Sequence, residues 1–339
     1  MGVGLTPVTR VVRAGAVLLA LGGLGVAATP GGSAQAGSSG PAAIRSGDRS
    51  TTTPGPGSGS LAFARRTGTY AQVYVLDLGN GSLRRLTRDA EDHDDPEWSG
   101  DGKRLVLASR GPERRGTYPS GIVVVSVPTG KRFVPLRDPR SSSGDLPHAL
   151  LSPALSPDGR RVAFTDQGWN VVVASAERRS TAWRGLVLGV DSTWSPDGNW
   201  IAFTRVVLGP SRQDPDTYVT SRGIWTLRPD GTGLRRLTTG DDWSPDWSSD
   251  GRGLVFARQT RGRDDVAWSV MRASADGRNA RRLAAGSSPT WSPDGAWIAF
   301  ARSRAGSGSP TSDIYVMTSD GGRARRLVPN GFAPAWGIR

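Results

Sequence analysis

The stretch Trp291 to Phe300, WSPDGAWIAF, constrains this chain more than any other, because close copies recur at 194–203 (WSPDGNWIAF), 155–164 (LSPDGRRVAF), 247–256 (WSSDGRGLVF) and 98–107 (WSGDGKRLVL). Each copy reads as a hairpin. In Ser292-Pro293-Asp294-Gly295 the proline presets φ near −65° and the glycine takes the positive φ that closes a type I turn with a bulge. The residues that follow, Ile298-Ala299-Phe300, alternate bulky and small side chains with the period of a strand, whereas a helix would need apolar spacing of three and four. Such a strand has a thick face and a thin one, the taper that a blade needs to nest between two neighbours around an axis.

Self-similarity at a period of roughly 40 to 50 residues marks a propeller or solenoid, and strand-only repeats with Gly-Asp turns favour the propeller. Counting the strand after each turn gives six: Leu61-Ala62-Phe63, Leu105-Val106-Leu107, Val162-Ala163-Phe164, Ile201-Ala202-Phe203, Leu254-Val255-Phe256 and Ile298-Ala299-Phe300. A third strand follows each one. A fourth carries a basic pair at Arg84-Arg85, Arg235-Arg236, Arg281-Arg282 and Arg325-Arg326. On an outermost strand such charges discourage edge-to-edge association, and nucleic-acid binding would want aromatics exposed beside them. The 12 tryptophans instead fall at near-regular places suited to packing blade on blade. The first blade lacks a Trp-containing strand, and Pro334-Ala335-Trp336 repeats the Pro-x-Trp of Pro96-Glu97-Trp98. The expectation is an all-β, six-bladed β-propeller over 60–339, with three-plus-one closure of the first blade by the C-terminal strand.

The repeat P-x-W-S-P-D-G-x-x-I-A-F, followed by I-Y-V-M and D-G, resembles that of the TolB-like β-propeller proteins, a WD-repeat-like family, over about residues 60 to 339. The resemblance implies the fold. It does not imply one activity, because the same repeat occurs in the propellers of prolyl-oligopeptidase-type peptidases and of pectate-oligomer lyases. TolB itself carries an α/β domain before its propeller, and those peptidases carry an α/β-hydrolase domain; this chain is expected to have neither.

Residues 1–36 read as a signal peptide: Arg10 and Arg13 precede the apolar run Ala14 to Ala28, and Ala34-Gln35-Ala36 offers a small-x-small cleavage pattern. An uncleaved anchor is the alternative, although the run is short of the ~20 residues of a spanning helix. Residues 37–59 are Gly, Ser, Pro and Thr with little apolar content, a flexible tether. Cysteine is absent, which excludes disulfides, thiolate metal sites and a lipid-carrying cysteine. The net charge is +13, almost all of the cations being arginine. An exported bacterial protein is expected, extracellular, cell-wall-associated or periplasmic and monomeric. A basic surface of this kind can adhere to anionic envelope polymers.

The tight turns share one end of the ring and the long connections, 109–121, 137–152, 206–222, 258–266 and 303–312, the other. Variable loops on a rigid scaffold are where binding usually sits. Loops leading into the innermost strands carry Asp89, Glu91, Asp92, Asp94, Asp95, Asp191, Asp241, Asp242 and Asp246. Loops further out carry Arg110, Arg114, Arg115, Arg212, Arg222, Arg258, Arg261, Arg263, Arg302 and Arg304. This predicts an acidic mouth ringed by base, with Asp94, Asp95, Asp191, Asp242, Asp246 and His93 as its binding residues. Turn capping and local ion pairs are the competing account of those aspartates.

For catalysis only His93 and His148 are available, and no G-x-S-x-G turn exists. No catalytic residue, metal ligand or cofactor is assigned, although a divalent cation could sit among carboxylates at the mouth. The expected function is therefore a non-enzymatic scaffold binding a protein or envelope polymer through its loop-rich face. The alternative is a metal-dependent carbohydrate-active lyase or hydrolase with its site at the mouth.

Overall fold

The computed structural model describes residues 56, 59–112, 119–138, 150–180, 183–209, 219–261, 266–304 and 312–338. The expected signal segment and nearly all of the linker lie outside the described residues, as do Arg114, Arg115, Arg212, Arg263, His148 and the side chain of Arg261. Among the described residues there is no helix, and hence none long and apolar enough to cross a membrane.

The strands come in consecutive antiparallel groups. The first holds β1 (Ser60–Thr67), β2 (Tyr70–Asp77) and β3 (Leu83–Arg85). The second holds β4 (Asp92–Trp98), β5 (Arg104–Arg110), β6 (Ser120–Ser126) and β7 (Arg132–Asp138). The third holds β8 (Leu151–Leu155), β9 (Arg161–Thr165) and β10 (Asn170–Ser175). The fourth holds β11 (Val187–Trp194), β12 (Ile201–Leu208), β13 (Val219–Leu227) and β14 (Arg235–Arg236). Next come β15 (Asp242–Trp247), β16 (Gly253–Arg261), β17 (Val266–Ser274) and β18 (Arg281–Ala285). The last full group is β19 (Ser287–Trp291), β20 (Trp297–Ser303), β21 (Ser312–Thr318) and β22 (Arg325–Val328). The final strand, β23 (Phe332–Gly337), pairs with β1, Trp336 opposite Leu61. The third and fourth groups run into one seven-stranded sheet because β10 pairs with β11 at Asn170–Leu188 and Val171–Val187.

The hairpin turns form as the sequence predicts. In the last full group Ser292 Oγ donates to Asp294 Oδ1, the Trp297 N–H donates to Ser292 Oγ at 2.8 Å, and Gly295 has φ 70°. The same serine–aspartate bond recurs at Ser99–Asp101, Ser156–Asp158, Ser195–Asp197 and Ser248–Asp250. In these four the serine hydroxyl, then a backbone N–H, holds the aspartate below the usual carboxylate range.

The taper also forms. Ile201 and Phe203 pack toward the third group with Trp194 and Ala163, while Ala202 between them packs toward the fifth with Leu254 and Phe256. Alternation of this kind builds a separate apolar cluster between each group and the next. One cluster joins last to first, Leu61, Phe63 and Trp336 packing on Ala299, Ile314 and Val316. The innermost strands touch in cyclic order as well: β23 on β4, β4 on β8, β8 on β11, β11 on β15, β15 on β19, and β19 on β23. The basic pairs lie on the outer strands, where Arg84 and Arg281 donate to the Val127 and Asp320 carbonyls of the following group.

Candidate functional site: an acidic axial channel

Each innermost strand carries one extra residue relative to its neighbour, between Asp94 and Glu97, Leu151 and Ala154, Val190 and Thr193, Trp243 and Asp246, Ser287 and Thr290, and opposite Ala62–Ala64 in β23. At each bulge a non-glycine residue takes a left-handed conformation: Asp95, Ser152, Asp191, Ser244, Ser288 and Ala333, with φ between 46° and 53°. Five of the six are followed by proline, whose missing N–H costs nothing where the ladder is interrupted. Side chains at these positions, and in five of the six strands at those two residues further on, line one channel bounded by all six innermost strands.

Four carboxylates enter it. Asp95 and Asp191 sit at the bulge level; Glu97 and Asp246 sit two residues further along their strands. Serine hydroxyls link the upper pair across neighbouring strands. Ser152 Oγ lies 3.1 Å from Asp191 Oδ1 and 3.4 Å from Asp95 Oδ2, and Ser244 Oγ donates to Asp191 Oδ2 at 2.9 Å. The Trp291 backbone N–H donates to Asp246 Oδ2 at 2.8 Å. Among the described residues, none of the four has a lysine or arginine within ion-pair distance.

Enclosed charge without counter-charge raises the cost of ionisation. Burial, then the charges of Asp94 and Asp191, push Asp95 well above the ordinary aspartate range. Burial and Asp246 do the same to Glu97. Burial raises Asp191 against the opposing bonds from Ser244 and Ser152, and pushes Asp246 up to about 6 against the bond from Trp291. The channel is therefore a set of enclosed acids whose ionised forms a cation would stabilise.

Of the residues singled out in the sequence, Asp95, Asp191 and Asp246 meet in this channel. Asp94 lies beside it, half-buried, and acts on Asp95 through its charge. Asp242 does not enter: it is fully buried and accepts two bonds from Arg258, Nε to Oδ1 at 2.7 Å and Nη2 to Oδ2 at 3.0 Å. His93 is 1 % exposed and bonds Asp89 through Nε2 at 2.6 Å. Burial holds its pKa below the ordinary histidine value, against the attraction of Asp89. With Asp89 and Glu91 it forms a group whose ligand atoms lie within 4.8 Å of one another, the arrangement a divalent metal could use. There Asp89 is already paired with Arg132, and Glu91 accepts from Ser109 Oγ at 2.6 Å. Of the outer arginines, Arg110 and Arg258 are drawn inward onto Asp92 and Asp242, and Arg304 pairs with Asp313. Glu97, Ser152 and Ser244 are the channel residues that sequence reasoning missed. The signal was present for Glu97, which fills the Pro-x-Trp place that Asp246 fills in the fifth group.

The TolB beta propeller domain model matches residues 120–337. The chain belongs to the TolB β-propeller family. This family member is 33 % identical over 165 residues to a protein TolB homolog of Chlorobium luteolum, covering 45 % of this chain and 35 % of the relative, so it spans about a third of that protein's length. Among solved structures it is similar to TolB from Acinetobacter baumannii, with a TM-score of 0.63 and 21 % identity over 84 % of this chain and 68 % of that one. Similarity to a putative TolB from Agrobacterium tumefaciens gives a TM-score of 0.55 and 20 % identity, over 81 % of this chain and 91 % of the other. At these identities the structural likeness speaks to the fold alone. TolB-family membership likewise leaves the use of the channel to its own chemistry.

Proposed function

We propose that this chain is an exported, non-enzymatic six-bladed propeller, closed three-plus-one by β23, which captures a basic segment of a protein partner at its axial channel. Support for the ring comes from the cyclic contacts of the innermost strands and from the apolar cluster that joins the last group to the first. The observation that carries the binding role is the meeting of Asp95, Glu97, Asp191 and Asp246 around one axis with no cation paired to them among the described residues. Their potentials add within low-dielectric walls, so an ammonium or guanidinium group gains more there than at an open surface. The space is small, about 110 Å³. It suits the tip of one lysine or arginine presented by an extended segment, with the rest of that segment lying on the loop-rich face. Export rests on the basic start, apolar run and Ala34-Gln35-Ala36, and a mature chain beginning elsewhere than near Gly37 would overturn it.

The test is pull-down from an envelope fraction with wild-type protein and with Asp95→Asn, Asp191→Asn and Asp246→Asn combined. Partner capture is lost in the triple variant while its melting temperature does not fall. Capture that survives the triple change but fails when Arg222 and Arg302 are neutralised would assign the site to the basic outer loops and the partner to anionic envelope polymers.

A further inference from the structure

The residue just before the apolar triplet of each second strand is Ser60, Arg104, Arg161, Trp200, Gly253 and Trp297 in successive blades. In four blades it is large. Arg104 reaches into the following blade and packs its guanidinium against Gly159, and Arg161 lies over the next blade's Trp194 with Cζ 4.7 Å from the ring centre. In the fifth blade the position is glycine, and the matching place between blades five and six is a cavity of about 420 Å³. That volume lies in the range of small-molecule sites, about 300–1,000 Å³.

Nothing in the backbone asks for this glycine. Gly253 is an ordinary strand residue paired with Ser274 and is not among the positive-φ positions. A Cβ there would meet Ser248 Oγ at 3.3 Å and the Trp291 ring at 3.4 Å, so a small side chain fits once the Ser248 hydroxyl gives by a few tenths of an ångström. Glycine inside a strand weakens it and often marks a place where something else comes close.

The walls say what that would be. Arg252, Arg272 and Arg281 line the cavity with Asn279 and Trp291. Arg272 and Arg281 each donate one N–H to a carbonyl of the sixth blade, Ser319 at 2.8 Å and Asp320 at 2.9 Å; a guanidinium has five N–H groups. Asp250 and Asp294 also line it, each with Oδ1 held by its own turn, so three cations face two carboxylates. The Trp291 indole N–H is buried without an acceptor. Trp98 and Trp194 donate theirs to the Ala335 and Ala154 carbonyls at 3.1 and 3.0 Å. Trp247 and Trp336 share the unpaired state, but Trp291 is the one of the three that walls this cavity.

We propose that the slot between blades five and six is a second binding site, independent of the axial channel, for a small organic anion whose phosphate or carboxylate group is held by Arg252, Arg272 and Arg281. Vacating one repeat position creates the room, and the arginines around it supply bidentate anion recognition.

The experiment is ¹⁹F NMR of protein labelled with 5-fluorotryptophan, the Trp291 resonance being assigned from Trp291→Phe. Inorganic phosphate, glucose 6-phosphate and citrate are titrated separately. At least one gives a saturable shift of that resonance with a Kd below about 1 mM. Which of them binds separates a phosphate from a carboxylate ligand. Gly253→Trp, which restores the residue of blades four and six, weakens binding by roughly tenfold or more, as does Arg252→Gln with Arg281→Gln, without lowering the melting temperature. Gly253→Ala serves if the tryptophan does not fold, and weakens binding to a smaller degree. Absence of a saturable shift up to about 10 mM of all three anions would overturn the proposal. Binding left intact by both the filling and the arginine variants would do so equally.

Discussion

Replacing Asp246 by asparagine should stabilise this protein at neutral pH and not at acid pH. The carboxyl rises from 3.8 to about 6 in the folded chain because it is enclosed in the axial channel. Between about pH 4 and pH 6 the folded chain therefore keeps a proton that the unfolded chain has released, and raising the pH through that window pulls the equilibrium toward unfolding. At about 1.4 kcal/mol per pH unit the accumulated cost above pH 6 is up to about 3 kcal/mol. Asparagine has nearly the same shape, keeps an oxygen for the Trp291 N–H, and carries no charge, so that cost disappears. Relief of Glu97, which Asp246 also pushes upward, acts in the same direction. The turn aspartates Asp101, Asp158, Asp197 and Asp250 have depressed values and lose their contribution as pH falls through the acid range. They do so equally in both proteins and cancel in the difference. Urea denaturation followed by tryptophan fluorescence from pH 4 to 8 gives that difference directly. It should be near zero at pH 4 and approach about 3 kcal/mol by pH 7.5, or roughly 6–12 °C in melting temperature. A difference that stays constant across this range would refute the reasoning, because the carboxyl would then not be titrating out of register with the unfolded chain. A gain at neutral pH would also mean that the wild type gives up stability to keep charge on its axis, as a binding site does.

Removing residues 332–339 deletes β23 with its buried Phe332, Ala335 and Trp336 and exposes the Leu61 edge. Several kcal/mol are lost from a margin of about 5–15, so the truncated chain should unfold at far lower urea, and an unchanged midpoint would exclude closure by this strand. Arg258→Ala strands the fully buried Asp242 without its partner and should cost about 3–5 kcal/mol in urea denaturation, and clearly less when Asp242→Asn is combined with it. An equal loss in the single and the double variant would mean that packing, not charge, is what Arg258 contributes.

The repeat sequence determined the local structure almost by itself. Ser-Pro-Asp-Gly carries its own hydrogen-bonding partners, and Leu61-Ala62-Phe63 and its copies state which face is thick and which is thin. The unmatched Pro334-Ala335-Trp336 points to a strand that must find its sheet elsewhere, as β23 does on β1. These signals are short-range, so neighbouring residues suffice to write them.

The composition of the channel was decided by tertiary structure. In a regular strand, facing alternates, and counting from Asp246 back to Asp242 would put both on one face. The bulge between Trp243 and Asp246 inserts one residue and reverses that count, so Asp246 faces the axis while Asp242 turns to its cross-strand partner Arg258. Asp92 and Arg110 repeat the pair in the second group of strands. The bulge likewise separates buried His93, bonded to Asp89, from Asp95 and Glu97 on the axis. Which carboxylates meet follows from the approach of strands that are far apart in the chain, Ser152 bonding both Asp95 and Asp191 and Ser244 bonding Asp191, and those contacts exist only once the innermost strands have come together.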